Sequence, residues 1–268
     1  MKLDQPSYRE LFDLTKRVAL IVGGASGIGR AGAIGLADFG ARCVIADIDL
    51  GGAEATVAEI LRRGGSADAR EADVRSTSSV EALVQGVLRD HGAIDVLLAM
   101  PAINIRKRLV DYADEEFDRV IDLNLKGTFR VGRAVARVMA QQNRGSMIFM
   151  SSMRASNVEP GQSIYGSTKA AIGLLTRGLA SEMARHKVRV NALAPSIVAT
   201  PINQIIRDNP QWSEALAKHT ALERWAEPSE MVGPIVFLAS EASSYVTGTT
   251  LFADAGWTVI DGRYAPPV

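Results

Sequence analysis

Seven short apolar runs alternate with longer stretches of helical periodicity, and this alternation constrains the fold of the 268-residue chain more than any other feature. The runs fall at residues 18–22, 43–46, 67–71, 94–99, 146–150, 188–193 and 250–253. Strands buried on both faces read as continuous apolar runs, and helices placed between them act as parallel crossovers. Helical patterns occupy 28–39, 52–63, 78–91, 114–142 (interrupted near Gly127), 165–185 and 229–240. The pattern predicts one α/β domain over 1–268, a doubly wound seven-stranded parallel sheet with helices on both faces. Residues 1–16 read as an N-terminal extension and 257–268 as a C-terminal tail.

Composition removes several classes of function. Thirty basic and thirty acidic residues give no net charge, so nothing favours nucleic acid or an anionic membrane. One cysteine, Cys43, lies inside an apolar run; a disulfide framework within the chain is excluded, and a reducing, cytoplasmic setting is expected. The first sixteen residues lack the apolar stretch of a signal peptide, and no run is long enough to span a membrane. His91, His186 and His219 are scattered without ligand spacing, so no metal site is expected. Ser152 is not in a G-x-S-x-G elbow, which argues against a hydrolase triad.

The chemistry-bearing residues form an ordered series. Gly23, Gly27 and Gly29 follow the first strand and open a helix, the context in which a glycine loop binds a dinucleotide in a Rossmann fold. There the backbone, with Ser26 and Ile28, approaches the pyrophosphate at a helix N-terminus. Asp47 ends the second strand, where a carboxylate accepts from the ribose hydroxyls and repels a 2′-phosphate; Ser26 supplies no cation, so NAD is favoured over NADP. Asp49 remains an alternative for that role. Asp73 and Val74 close the third strand beside the adenine edge. Tyr165 and Lys169, four apart, project from one helix face, with Ser152 thirteen residues upstream of the tyrosine. A neighbouring ammonium is expected to pull the phenol below its ordinary pKa of about 10.

Together with Asn124 in D-L-N-L-K-G, N-A-L-A-P at 191–195 and V-A-T-P at 198–201, these motifs resemble those of the classical short-chain dehydrogenases/reductases, over about residues 12–257. The resemblance implies that Tyr165 exchanges the substrate proton, that Ser152 holds the same oxygen, and that Lys169 holds the nicotinamide ribose. It implies that Asn124 supports a water leading to Lys169, and that Ala99, Pro195, Val198 and Thr200 border the cofactor. It also implies a homotetramer. The chain departs from the family pattern at Ala99-Met100-Pro101-Ala102, Val22, Ser196 and Ala255, which puts cofactor affinity in question.

The segments 104–107 and 159–162 resemble the gluconate 5-dehydrogenase-like branch, which implies a sugar acid, keto-sugar acid or polyol as small-molecule substrate. Arg154, Gln162 and Arg106 are the candidate substrate-binding residues, although residues 106–108 also fit a solvated charge cluster. Residues 201–228, with Trp212 and Trp225, interrupt the alternation and read as a substrate lid, or alternatively as a surface helix pair. The expected activity is NAD-dependent hydride transfer to or from a secondary alcohol. The rivals are an NADP-linked carbonyl reductase and a catalytically silent dinucleotide-binding sensor or scaffold.

Overall fold

The structure, a computed structural model, describes residues 7–260; residues 1–6 of the expected extension and 261–268 of the expected tail lie outside them. Seven strands form one sheet: β1 (Val18–Val22), β2 (Arg42–Asp47), β3 (Ser66–Glu71), β4 (Val96–Ala99), β5 (Gly145–Met150), β6 (Val188–Pro195) and β7 (Thr250–Ala253). Their order is β3-β2-β1-β4-β5-β6-β7, and every neighbouring pair is parallel. The chain winds outward from β1 to β3, then returns past β1 to lay down β4. That reversal opens a crevice at the carboxyl ends of β1 and β4, the switch point of a doubly wound sheet.

Helices follow in chain order as α1 (Gly27–Asp38), α2 (Leu50–Arg62), α3 (Thr77–His91), α4 (Asp114–Ile121), α5 (Thr128–Gln142), α6 (Ser163–Met183), α7 (Gln204–Arg207), α8 (Pro210–Lys218) and α9 (Val232–Ala239). Successive strand side chains point to opposite faces, so each central strand feeds two cores. Leu20, Val44, Leu97 and Phe149 pack with α3, α5 and α6 through Val80, Val131 and Ile172. Ile21, Ile45, Leu98 and Ile148 pack on the other face with Leu36, Ile60 and Ile235 of α1, α2 and α9. Cys43 is fully buried in this second core, and burial pushes its thiol up to about 12, so it behaves as a small apolar residue.

One helix break follows the sequence expectation and one helix start departs from it. The long pattern at 114–142 is interrupted near Gly127, as expected, by a π turn, Asp122–Gly127, between α4 and α5. The expected helix at 229–240 opens as a 3-10 turn, Pro228–Met231, and becomes α-helical only from Val232. Pro228 stands at its first position, and the Glu230 carboxylate accepts from the Glu227 amide at 2.9 Å, so the turn is held as a separate cap.

The loop between β1 and α1 leaves no room for a side chain at one position. A Cβ on Gly29 would lie 2.0 Å from the Gly23 carbonyl oxygen. Gly29→Ala is therefore expected to displace the loop and lower stability by about 1–3 kcal/mol, read as a fall in the urea unfolding midpoint at unchanged slope.

Candidate active site

The crevice at the switch point is a cleft of about 460 Å³. Its floor is the glycine loop, with Gly23, Ser26, Gly27, Ile28 and Gly29 on its wall and the N-terminus of α1 opening into it. Unpaired amides and the helix dipole there suit a pyrophosphate. Asp47, Asp73 and Val74 line one end, and Tyr165, Lys169 and Thr200 the other. Length, amide-lined floor and a carboxylate beyond it are what a nicotinamide dinucleotide requires, so the residues present fit that cofactor.

Several expected contacts stand elsewhere. Ala99, Pro195 and Val198 are buried behind the cleft and do not form its wall. Ala99 sits opposite Val22 in the β1–β4 pairing, Pro195 opposite Ala253, and the Val198 carbonyl accepts from the Thr200 amide at 2.8 Å. The departures at 99–102 do not unravel the crevice, since the Met100 amide donates to the Val22 carbonyl at 2.9 Å. Ala255, where glycine is common in the family, is held at φ 53°, in the left-handed region. Met100 and Pro101 of the altered tetrapeptide line the cleft; Ile48, Arg75, Ile103 and Arg119 also reach it, and sequence reasoning singled out none of these four for it.

Asp47 has two tasks in the loop. One oxygen accepts from the Ala25 amide at 3.0 Å and the other from the Asp49 amide at 3.1 Å. Asp49 instead caps α2, accepting from the Gly52 amide at 3.0 Å, which leaves Asp47 as the acid that faces the cleft. Asp73 is bound by the Arg75 guanidinium at 2.8–3.1 Å, which holds its carboxyl below the ordinary range.

The reactive group is assembled where α6 meets the end of β5. Ser152 begins a short turn, Met153–Ala155, and its Oγ accepts from the Arg154 amide at 3.1 Å. In Y-G-S-T-K, Gly166 lets α6 lie against this turn, because a Cβ there would come within 2.9 Å of the Arg154 carbonyl oxygen. Lys169 Nζ donates to the Met150 carbonyl at 2.9 Å and stands 5.5 Å from the centre of the Tyr165 ring. Asn124, carried by the π turn, accepts from the Ile103 amide at 2.8 Å and donates to the Ile103 carbonyl at 2.9 Å. Its Nδ2 also reaches Thr168 Oγ1 at 3.3 Å.

The protonation of this group corrects the sequence expectation. Burial pushes the Tyr165 phenol up, against a hydrogen bond with Ser152 and the positive charges of Arg106 and Arg154. Lys169 does not offset that burial, because it is itself almost completely buried and is pushed down to about 7.

A smaller pocket adjoins the cleft, lined by Asn104, Arg106, Ser152, Arg154, Gln162 and Tyr165 among others. All three candidate substrate residues are therefore brought together there, but not as free groups. Arg154 and Arg106 both approach Glu159 Oε2, at 2.5 and 3.4 Å, and Gln162 Nε2 donates to the same oxygen. Arg154 also lies over the Trp257 ring and Arg106 over Trp212, each at 5.1 Å. Glu159 was not singled out in the sequence, although its place between Arg154 and Tyr165 was the available signal.

Residues 23–258 match a family model described as enoyl-(acyl carrier protein) reductase. The chain is a short-chain dehydrogenase/reductase. This short-chain dehydrogenase/reductase is 34% identical over 250 residues to 5-keto-D-gluconate 5-reductase of Escherichia coli K12, covering 93% of this chain and 98% of the relative. It is also 34% identical over 258 residues to gluconate 5-dehydrogenase of Gluconobacter oxydans, covering 94% and 99%. A crystal structure of a gluconate 5-dehydrogenase from Burkholderia cenocepacia, in complex with NADP and tartrate, matches with a TM-score of 0.91 and 35% identity, covering 94% of this chain and 98% of that one. The protein is an oxidoreductase of CH–OH groups that uses a nicotinamide dinucleotide. No helix among the described residues is long and apolar enough to cross a membrane.

The buried lysine has a signature in stability. Its pKa falls from 10.5 to about 7 on folding, so between these values the unfolded chain keeps a proton that the folded chain has shed. Stability then rises with pH across that window, and the contribution is lost as pH falls toward 7. Tyr165, pushed above its ordinary value, acts in the opposite sense only near and above pH 10. Between pH 7 and 9.5 the wild type is expected to gain about 3 kcal/mol over Lys169→Met, measured by urea unfolding without cofactor. A flat difference would mean that the lysine stays charged inside the fold.

Proposed function

We propose that the protein interconverts a secondary alcohol and a ketone with NAD(H) on a sugar acid, keto-sugar acid or polyol. The observation that carries the reading is the position of Tyr165, which borders both the dinucleotide cleft and the polar pocket. A substrate oxygen placed there meets an acid and a hydroxyl while its carbon faces the cofactor side. The bound nicotinamide supplies the hydride acceptor or donor. Tyr165 Oη gives the proton to the carbonyl oxygen in reduction and takes it from the alcohol in oxidation. Ser152 Oγ holds that oxygen and stabilises the charge developing on it. The raised phenol favours the neutral acid, as reduction needs; oxidation requires that Tyr165 pass its proton on. Lys169, close to neutrality, is the group beside it able to carry charge at physiological pH. Asn124 positions the Ile103 backbone that borders the cleft.

Asp47 supports the choice of NAD, because its carboxylate stands at the end of β2 and is followed by Ile48 instead of a cation. NADP is the second reading, favoured by the NADP complex of the Burkholderia relative. Arg75 lines the same cleft as a candidate for a phosphate, but Asp73 already holds it. The sugar-acid or polyol reading is supported by the names of the relatives and by the polar walls of the small pocket. Residues 201–228 serve as its lid, since Ile202, Ile206 and Leu216 contribute to the pocket wall. The assembly is a homotetramer on this reading, with the apolar groove at Phe129, Leu175 and Leu179 between α5 and α6 as one face for it.

Tyr165→Phe is expected to reduce turnover by about a hundredfold or more while leaving NADH binding within about twofold, measured by steady-state rates and fluorescence titration. Near-normal rates would remove Tyr165 from the reaction. Asp47→Asn retains the acceptor for the Ala25 amide and drops the charge. It should raise kcat/KM with NADP⁺ relative to NAD⁺ by about tenfold, and an unchanged ratio would place cofactor choice elsewhere.

A further inference from the structure

Asn104 lines the small pocket, and its Oδ1 is buried in the pocket wall with no hydrogen-bond partner among the described residues. Its identity as an acceptor is fixed by a chain of bonds that begins at a carboxylate. Glu159 Oε2 faces the guanidinium groups of Arg154 and Arg106, which can only donate, so this oxygen is an acceptor. The Gln162 amide must therefore turn its NH₂ toward Glu159, which leaves Gln162 Oε1 as an acceptor. Asn104 Nδ2 donates to that oxygen at 2.9 Å. Both amide orientations follow from this one oxygen of Glu159, and the chain ends on Asn104 Oδ1.

We propose that Asn104 is a specificity-determining residue whose Oδ1 accepts a hydrogen bond from a substrate hydroxyl other than the one being oxidised. This rests on the reading that Ser152 and Tyr165, in the same pocket, handle the reacting oxygen. A buried acceptor left without a partner is destabilising, and a hydroxyl brings the proton it lacks. A site built to bond a hydroxyl rejects the analogue that lacks it. Glu159 and Gln162 are positioning residues: they touch Asn104, directly or in sequence, and set the direction of its amide. Arg154 and Arg106 act through Glu159, with their guanidinium planes held against Trp257 and Trp212. The arginines are thus parts of the reader: two guanidinium groups share the one carboxylate of Glu159, which leaves a positive charge beside Asn104.

The test compares kcat/KM for vicinal diols and polyols with that for the matching single alcohols, in the wild type, Asn104→Ala and the near-isosteric Asn104→Leu. Thermal unfolding of each variant is followed alongside. The wild type should prefer the diol by about tenfold or more. Either substitution should lower kcat/KM for the diol by about tenfold while leaving the single alcohol within about twofold. Equal losses on both substrates would mark a structural role and overturn the proposal. So would a preference that survives both substitutions, or a wild type that shows none or turns over no diol. Silence toward sugar acids with the diol preference intact would discard the sugar-acid reading and leave this one standing. Failure of Tyr165→Phe to abolish turnover strikes the catalytic assignment separately.

Discussion

The carboxamide of Asn124 pairs with both backbone polar groups of Ile103, and the site is organised around that clamp. At the switch point the chain leaves β4 with no strand ahead of it, so its amides and carbonyls need partners from outside the sheet. A regular helix from 114 to 142 would present Asn124 differently; the π turn at Asp122–Gly127 places it against the departing chain. The same side chain reaches Thr168, whose hydroxyl donates to the Tyr165 carbonyl at 2.7 Å. The cleft wall and α6 are therefore tied through one fully buried residue. This offers a physical reason why the altered residues 99–102 remain compatible with an ordered crevice.

Burial governs the electrostatics on the other side of that clamp. Tyr165 and Lys169 are close enough to interact, yet the structure desolvates both, and each is driven toward its neutral form. The attraction that helix spacing suggests is real only when the lysine carries its charge, and in a nearly dry environment it carries that charge reluctantly. The pair is thus poised so that a positive ring bound in the cleft would change both groups at once. Such sensitivity is a property of the buried arrangement, and no exposed Tyr–Lys pair four residues apart would share it.

Much of the architecture was legible in the sequence because burial on two faces leaves a continuous apolar signature. Strands β1 and β7 have the bounds that their apolar runs predict, and the others differ by a residue or two at their ends. The glycine loop, Asp47, Ser152, Tyr165 and Lys169 were legible from local order and spacing, and the fold brings them to the cleft and, for Ser152, to the pocket beside it. What escaped depends on pairings between distant segments. Glu159 reads as an ordinary loop acid until Arg106, 53 residues upstream, is folded against it. Ala99, Pro195 and Val198 look like cofactor neighbours in a linear motif, yet Ala99 and Val198 pack their side chains into the core and Pro195 is buried in its pairing with Ala253. The desolvation of Lys169 has no local signature, since four-residue spacing gives direction and says nothing of depth.

On the NAD reading, Asp47 couples stability to selectivity. Its carboxylate closes the turn after β1 by accepting from Ala25 and orders the start of the next loop through Asp49. A 2′-phosphate on the ribose would approach this same negative charge. On that reading, rejecting the phosphate and holding the turn are not separable by simple deletion: removing the side chain would relax the first and loosen the second. On the NAD reading, a change of cofactor preference has to keep the Ala25 hydrogen bond while discharging the carboxylate, as Asp47→Asn does at the expense of the bond from the Asp49 amide. The loop thus links recognition of the ribose to the same backbone amides that shape the approach to the pyrophosphate, and mutation of one is felt by the other.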